Sequence, residues 1–230
     1  MSEPQLRPLG RDDLVVCDFD GTLSVIDTGL AVIEALHLDA AWEAEWEWRR
    51  GEISSMECLR RQWALVTIPP DDLLALIDSL ALDPDLVGFV EFVQRRDAGL
   101  VVLSDGLDFY IDRMLADLGL ATGNDDAQLR GGGPVLRFAN QATVTPQGVR
   151  IEFPHANFCA QCGNCKTEHL LRLRRGFGRT IYLGDGHSDL CAARFAEVVF
   201  AKDALAEDCR KAGRRCYPFT GLANVMAALE

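Results

Sequence analysis

The chain has 230 residues, 48% of them hydrophobic and 25% charged, with a formal net charge of -12. That length suits one core of ordinary size plus a modest insertion, and the composition excludes a disordered or collagen-like chain. With 23 basic residues (20 Arg and 3 Lys) against 35 acidic ones, partners that demand a basic face, nucleic acid and anionic membrane surfaces, are not expected.

The N-terminal MSEPQLRPLGRDD is polar and lacks the apolar stretch of a signal peptide. No apolar run approaches the roughly 18 residues of a membrane span. Eight cysteines without a secretion signal point to reduced thiols and a cytoplasmic setting.

In chain order, the first strand signal is Leu14-Val15-Val16-Cys17, running into Asp18. A helical tract follows over 28–96. Within it GLAVIEALHL and AAWEAEWEWRR precede a break at Gly51, and Ser54-Ser55-Met56-Glu57 is a capping-box pattern opening CLRRQWALV. Pro69-Pro70-Asp71-Asp72 opens a further helix, and Asp83-Pro84-Asp85 opens LVGFVEFVQRR. One strand-to-strand crossover needs a single helix, so 28–82 reads as an inserted helical cap. Its four tryptophans, Trp42, Trp46, Trp48 and Trp63, are expected to form its small core.

The next strand is Leu100-Val101-Val102-Leu103, running into Ser104. The stretch 120–165 is irregular, with a loop at Gly131-Gly132-Gly133-Pro134 and a hairpin around Thr145-Pro146-Gln147-Gly148. Thr180-Ile181-Tyr182-Leu183 runs into Gly184-Asp185. Val198-Val199-Phe200 and Arg215-Cys216-Tyr217-Pro218 are weaker strands. Runs apolar on both faces suit a parallel sheet covered by helices. The expected fold is therefore α/β, a doubly wound, Rossmann-like parallel sheet, with 1–27 and 83–230 as core, 28–82 as cap and a small loop or hairpin insert at 120–165.

In such sheets the ligand crevice lies at the carboxyl ends of the strands, and the three best strands each deliver polar residues there. Asp18 and Asp20 fall on one side of an extended chain in DFDGTLS, and two converging carboxylates call for a cation or a shared proton. Ser104, with the N–H groups after it, offers donors for phosphate oxygens. Lys166 opens the helix KTEHLLRLRR in a chain that otherwise prefers Arg. GDGHSD brings Asp185 and Asp189 to the same edge. Each signal is modest alone: taken singly, Asp18 and Asp20 read first as an acidic turn and Ser104 as a helix cap, with a surface Lys and an Asp-capped loop as the plain alternatives for Lys166 and GDGHSD.

Taken together and in this order, the four motifs resemble the haloacid dehalogenase-like phosphohydrolase superfamily: DFDGTLS, Ser104, Lys166 and GDGHSD. The resemblance spans 15–189. It implies that Asp18 is a nucleophile forming an aspartyl-phosphate and Asp20 a general acid and base. It also implies Mg²⁺ held by Asp18, the main-chain carbonyl of Asp20 and Asp185, with Ser104, Gly106 N–H and Lys166 around the phosphoryl oxygens and Asp189 in support. The helical insertion stands where that family places its first-type cap.

Within the family the sequence is most similar to the phosphoserine phosphatase-related branch, beside the methionine-salvage (MtnX-like) and phosphoethanolamine/phosphocholine phosphatases. Asp27 on the cap side, SDGLDFYI and the Cys-rich run before Lys166 carry that similarity, while Asp105 departs from the glycine of some relatives. The implied substrate is a small phosphate monoester, with 2-hydroxy-3-keto-5-methylthiopentenyl-1-phosphate first and phosphoserine or phosphoethanolamine/phosphocholine as alternatives. A transferase or mutase on the same fold is a further alternative.

Cys159, Cys162 and Cys165 stand at CxxCxxC spacing, four residues after His155. A structural Zn²⁺ with a fourth donor, a disulfide, and a reduced-thiol loop shaping the approach to Lys166 are the three readings, and the thiol loop is favoured. A zinc-binding interaction module would explain this run but not the four motifs. None of His37, His155, His169 and His187 is assigned chemistry, and oligomeric state is not readable.

Overall fold

A computed structural model describes residues 6–130, 132–145 and 147–230. The expectations for the extreme N-terminal residues 1–5, for Gly131 in its loop and for Pro146 in the hairpin turn lie outside the described residues.

The chain enters the sheet at its centre. β1 (Asp13–Cys17) is buried along its whole length and pairs in parallel with β2 (Gly99–Leu107) on one side and β6 (Arg179–Gly184) on the other. Beyond β2 lie β4 (Val135–Thr145) and the short β3 (Thr122–Gly123). Beyond β6 lie β7 (Val198–Ala201) and β8 (Tyr217–Pro218), giving the order β3-β4-β2-β1-β6-β7-β8. The fold is the expected doubly wound parallel sheet, and its strand order reverses at the centre, where such sheets bind ligands.

Alternation along β1 and β6 divides the core into two layers. Val15, Cys17, Ile181 and Leu183 face the layer of α5 (Leu86–Arg95), α6 (Asp108–Asp117) and α10 (Leu222–Leu229). Leu14, Val16 and Tyr182 face the layer of α7 (Lys166–Leu173), α8 (Leu190–Ala193) and α9 (Asp203–Lys211).

β4 was expected only as part of a hairpin, and β3 not at all. The first half of β4 is a parallel neighbour of β2, and its second half turns into the antiparallel hairpin with β5 (Gly148–Glu152). Arg137 and Asn140 interrupt its apolar pattern. Arg137 is tied to Asp112 on α6, Nε to Oδ1 at 2.9 Å, and the buried Asn140 donates its amide to the Asp105 main-chain oxygen at 2.6 Å, so the donors of both find partners inside the fold.

Between β1 and α5 stand α1 (Thr28–Ala35), α2 (Asp39–Arg49), α3 (Ser55–Ala64) and α4 (Pro70–Asp78). Their starts follow local chemistry. Asp27 caps α1 by accepting from Leu30 N at 2.8 Å, Pro70 sits in the first turn of α4, and Ser54 caps α3 by accepting from Glu57 N at 3.2 Å. The capping box is half made, because the Glu57 carboxylate pairs with Arg61 instead of the cap N–H. The two connections to the sheet lie side by side: Val25 N donates to Ala81 O at 2.9 Å and Asp83 N to Leu23 O at 2.8 Å.

The four tryptophans do not make a separate core, contrary to expectation. Trp63 is buried and packs on Phe109 and Tyr110 of α6. Trp42 stacks on Trp46, which is half exposed. Val32, Trp63, Leu73 and Ile77 instead join the cluster that covers one face of the sheet. A handful of short helices has too little apolar surface to close a core alone, so it shares that of the sheet layer.

Candidate active site

Parallel register brings the motif residues to one edge. Cys17 pairs with Val102 and with Leu183, so the next residues of all three strands emerge together, and Asp18 N donates to Leu183 O at 2.9 Å. Asp18 follows β1, Ser104 and Gly106 lie near the end of β2, Asp185 follows β6, and Lys166 opens α7.

Lys166 is buried and central to the cluster. Its Nζ donates to Asp18 Oδ1 at 2.6 Å, to Asp189 Oδ1 at 2.6 Å and to Ser188 Oγ at 3.0 Å. Burial pulls the ammonium toward neutrality, but Asp18 and Asp189 more than offset this and hold its pKa above the ordinary value. Burial, with Asp189 adding, raises the Asp18 carboxyl well above the carboxylate range while Lys166 opposes the rise. Asp189 spends both oxygens internally: Oδ1 also accepts from Tyr182 OH at 2.7 Å, and Oδ2 accepts from Asp185 N at 3.2 Å and Gly186 N at 3.1 Å. Four donors saturate a carboxylate, so Asp189 braces Lys166 and the loop.

The Asp20 carboxylate points elsewhere. Oδ1 accepts from Thr28 N at 3.0 Å, and Oδ2 from Tyr110 OH at 2.8 Å and Ser104 Oγ at 3.3 Å. Its pKa is raised by burial, against the lowering effect of the Tyr110 and Thr28 hydrogen bonds. Ser104 Oγ also accepts from Gly106 N at 2.9 Å. A side chain at Gly106 would collide with the Tyr110 hydroxyl and with Asp20. Gly21 has φ +72°, and a side chain there would strike Asp185, so glycine is required on both counts.

Among the described residues, the His, Cys, Asp and Glu group close enough to share one ion is Asp18, Asp185 and Asp189, whose ligand oxygens lie within 4.8 Å of one another. Three carboxylates against the one ammonium of Lys166 leave the cluster short of positive charge. Accordingly, burial and the neighbouring Asp189 push the Asp185 carboxyl up to about 6. An all-oxygen set with surplus negative charge fits a hard divalent cation. With Asp189 saturated, Asp18 and Asp185 are the side chains free to ligate, and Thr22 Oγ1 donates to Asp185 Oδ1 at 3.0 Å to orient it. The Asp20 carboxylate is turned away from this group, so any role of Asp20 there falls to its main-chain carbonyl.

The edge opens into a cavity of about 390 Å³, within the usual range for small-molecule sites, between the strand ends and the helices of 28–82. Asp18, Asp20, Ser104, Gly106 and Asp185 form its floor. Lys166 is not among its lining residues and sits behind Asp18. The wall holds Asp27, Glu45, Trp48, Arg49, Gln62 and Trp63. Surrounding protein and the Asp20 charge raise the Asp27 carboxyl, although its exposure to solvent limits that rise.

Sequence reasoning missed Tyr110, Thr28, Tyr182, Asn164 and Glu45. Tyr110 and Tyr182 stand within the second-motif segment and the third strong strand, where they read as core; only their hydroxyl partners reveal more. Glu45, on the second helix of the insertion, carries no motif at all.

The cysteine run does not converge on a metal. Cys159 is exposed, Cys162 partly buried and Cys165 buried, and no cluster of three ligand atoms forms there among the described residues. Ala160 turns the loop with φ 51°. His169 stacks on Phe138 and His155 meets both rings edge-on, and burial together with His155 pulls His169 down to about 4. The zinc reading is therefore unsupported.

The loop instead links the helices of 28–82 to the floor. Ser55 N donates to Gln161 O at 2.9 Å, Gly163 N to Ser55 Oγ at 3.1 Å, and Asn164 N to Asp105 Oδ1 at 2.8 Å. Asn164 Nδ2 also holds Ser104 O at 2.8 Å. Asp105, the departure noted in the sequence, is the half-buried joint of this linkage.

The sequence model of the haloacid dehalogenase-like hydrolase family matches residues 15–194. The chain belongs to that family. A 2-hydroxy-3-keto-5-methylthiopentenyl-1-phosphate phosphatase of Geobacillus kaustophilus is 31% identical over 226 residues, covering 94% of this chain and 95% of its own. Another so named, from Bacillus velezensis, is 24% identical over 225 residues, covering 96% and 91%. In fold, the chain matches a phospho-aspartyl intermediate analogue of phosphoserine phosphatase with TM-score 0.70 and 18% identity, covering 98% of this chain and 100% of that one. A family hydrolase from Salmonella enterica serovar Typhi matches with TM-score 0.74 and 16% identity, covering 98% and 74%. No helix among the described residues is long and apolar enough to cross a membrane.

Proposed function

We propose that the chain is an Mg²⁺-dependent phosphomonoesterase for a small phosphate ester, with 2-hydroxy-3-keto-5-methylthiopentenyl-1-phosphate as its substrate. The observation that carries this reading is the meeting of Asp18, Asp20, Lys166 and Asp185 at one sheet edge beneath a small-molecule cavity. Near full-length similarity to relatives of that name supports the substrate.

Asp18 attacks phosphorus in line; the bond from phosphorus to the ester oxygen breaks and an aspartyl-phosphate forms. Asp20, its pKa raised by burial, carries the proton that the leaving oxygen takes. Asp20, now ionised, then removes a proton from water. The water oxygen displaces the Asp18 carboxylate from phosphorus, releasing inorganic phosphate. Tyr110 and Thr28 N hold the Asp20 carboxylate in place through both steps. Ser104, Gly106 N–H and Lys166 balance the phosphoryl charge, and Asp189 keeps Lys166 in position. Asp18, Asp185 and the Asp20 carbonyl would hold Mg²⁺, which would supply charge neutralisation at the transferring group.

Residues 28–82 act as a cap that closes over the leaving group and excludes water, with 1–27 and 83–230 as the catalytic core. The test is phosphate release from a panel holding the methionine-salvage enol phosphate, phosphoethanolamine, phosphocholine, phosphoserine and p-nitrophenyl phosphate, with and without Mg²⁺. Mg²⁺-dependent preference for the enol phosphate is expected. Silence on the whole panel would sink the phosphatase reading, and preference for another member would move the substrate.

A further inference from the structure

The cavity wall has a charge pattern that the reaction does not use. Glu45 on α2 is 4% exposed and lines the cavity, yet touches none of the groups on the floor. Its Oε1 accepts from Arg49 Nε at 2.7 Å, and its Oε2 accepts from Gln62 Nε2 at 3.0 Å and from the Cys58 thiol at 3.8 Å. Burial and the Glu45 charge keep that thiol protonated by raising its pKa. Glu45 is thus fixed from its own helix and from α3. Arg49 is the guanidinium among the lining residues, and it is spent on Glu45. The other ionisable wall residues are Asp27, Asp105 and Asp203, with His187 at the rim.

We propose that Glu45 is a specificity residue that rejects anionic leaving groups by neutralising Arg49, so that the enzyme takes esters whose leaving group is uncharged or cationic. The inference rests on the phosphatase reading and deepens it. A carboxylate on the leaving group would enter a wall already rich in carboxylates and find the one lining guanidinium among the described residues occupied. Like charges brought together in a walled site oppose binding before any contact compensates. Trp48, Leu59 and Trp63 add apolar surface to the same wall, which suits an uncharged tail.

Phosphoethanolamine and phosphoserine are the probes, because they differ by one carboxylate. The ratio of their kcat/KM values is read at one pH with saturating Mg²⁺. The unaltered enzyme is expected to favour phosphoethanolamine by about tenfold or more, ~1.4 kcal/mol. Glu45→Gln keeps an oxygen for Arg49 but removes the charge, and should move the ratio toward phosphoserine by about tenfold. Arg49→Gln, at a partly exposed position, should move it the opposite way. A merely structural lesion would lower both rates and leave the ratio alone. Opposite shifts establish the inference. An unmoved ratio in both variants, or a phosphoserine preference in the unaltered enzyme, overturns it while the phosphatase reading stands. If Glu45→Gln does not fold, the direction of the Arg49→Gln shift decides alone. Absence of Mg²⁺-dependent hydrolysis of any ester by the unaltered enzyme removes the phosphatase reading and this inference with it.

Discussion

The floor and the wall of the cavity both carry buried carboxylates, yet they are assembled by different means. On the floor, Asp18, Ser104 and Asp185 each follow or end a strand whose direction and register are shared, so a few consecutive residues place each group. On the wall, Glu45, Arg49, Gln62 and Trp63 come from the C-terminal halves of two helices, and their meeting depends on how α2 and α3 pack. The floor is therefore robust to changes in the surrounding sequence, whereas the wall changes with any shift in helix packing. A family that keeps one chemistry and varies its leaving group needs this division.

Substitutions on the floor should have the largest effects. Asp18→Asn should lower turnover by about 10⁴-fold or more, since loss of a nucleophile leaves only binding and electrostatic terms. Phosphate release under single-turnover conditions checks this, and a fully active variant would remove Asp18 as the nucleophile. Asp20→Asn should cost about 10³-fold with an alkyl phosphate and less with p-nitrophenyl phosphate, whose leaving oxygen departs without a proton. Equal losses on the two esters would deny Asp20 the role of acid.

Asp185→Asn should raise the Mg²⁺ concentration for half-maximal activity by about 10- to 100-fold. A magnesium titration reads this, and an unchanged midpoint would leave Asp185 outside the metal site. The same residue sets a pH dependence of stability. Its carboxyl is raised from an ordinary 3.8 to about 6, so the folded state holds a proton that the unfolded chain has already released. Metal-free protein should therefore lose stability from this group as pH rises from about 4 through 6, and added Mg²⁺ should recover it above that window. Melting curves of the protein and of Asp185→Asn, with and without Mg²⁺, isolate the effect. A metal-free stability difference that stays flat across this window would count against it.

Away from both floor and wall, the smallest effect is expected at the thiol loop. Cys159→Ser, at an exposed position with no metal cluster around it, should change stability by less than about 0.5 kcal/mol. A large drop in melting temperature, or stoichiometric zinc in elemental analysis, would restore a metal to that loop.

The parallel sheet, and the placement of Asp18, Ser104 and Asp185 at or near strand ends and of Lys166 at a helix start, were legible in the sequence. Their signals are local: an apolar run apolar on both faces, then an acidic or hydroxyl residue, then glycine. β4 was not legible as a core strand, because Arg137 and Asn140 break its apolar pattern and their donors find partners only in Asp112 on α6 and in Asp105. The tryptophans misled for the converse reason. Four large apolar residues in one segment read as a core, but Trp63 is buried against α6, a helix that follows the next strand.

Long-range pairing likewise decided the finer site. Asp189 and Asp185 look equivalent in GDGHSD, yet four donors saturate one and leave the other open to a cation. Cysteine spacing permitted a metal that the loop geometry does not assemble. Chain order and short-range spacing determine where a strand ends and what stands at its tip, because register and alternation propagate from a few residues. They do not determine which side chains meet across elements, because those contacts depend on the packing angle of whole helices, to which no short stretch of sequence corresponds.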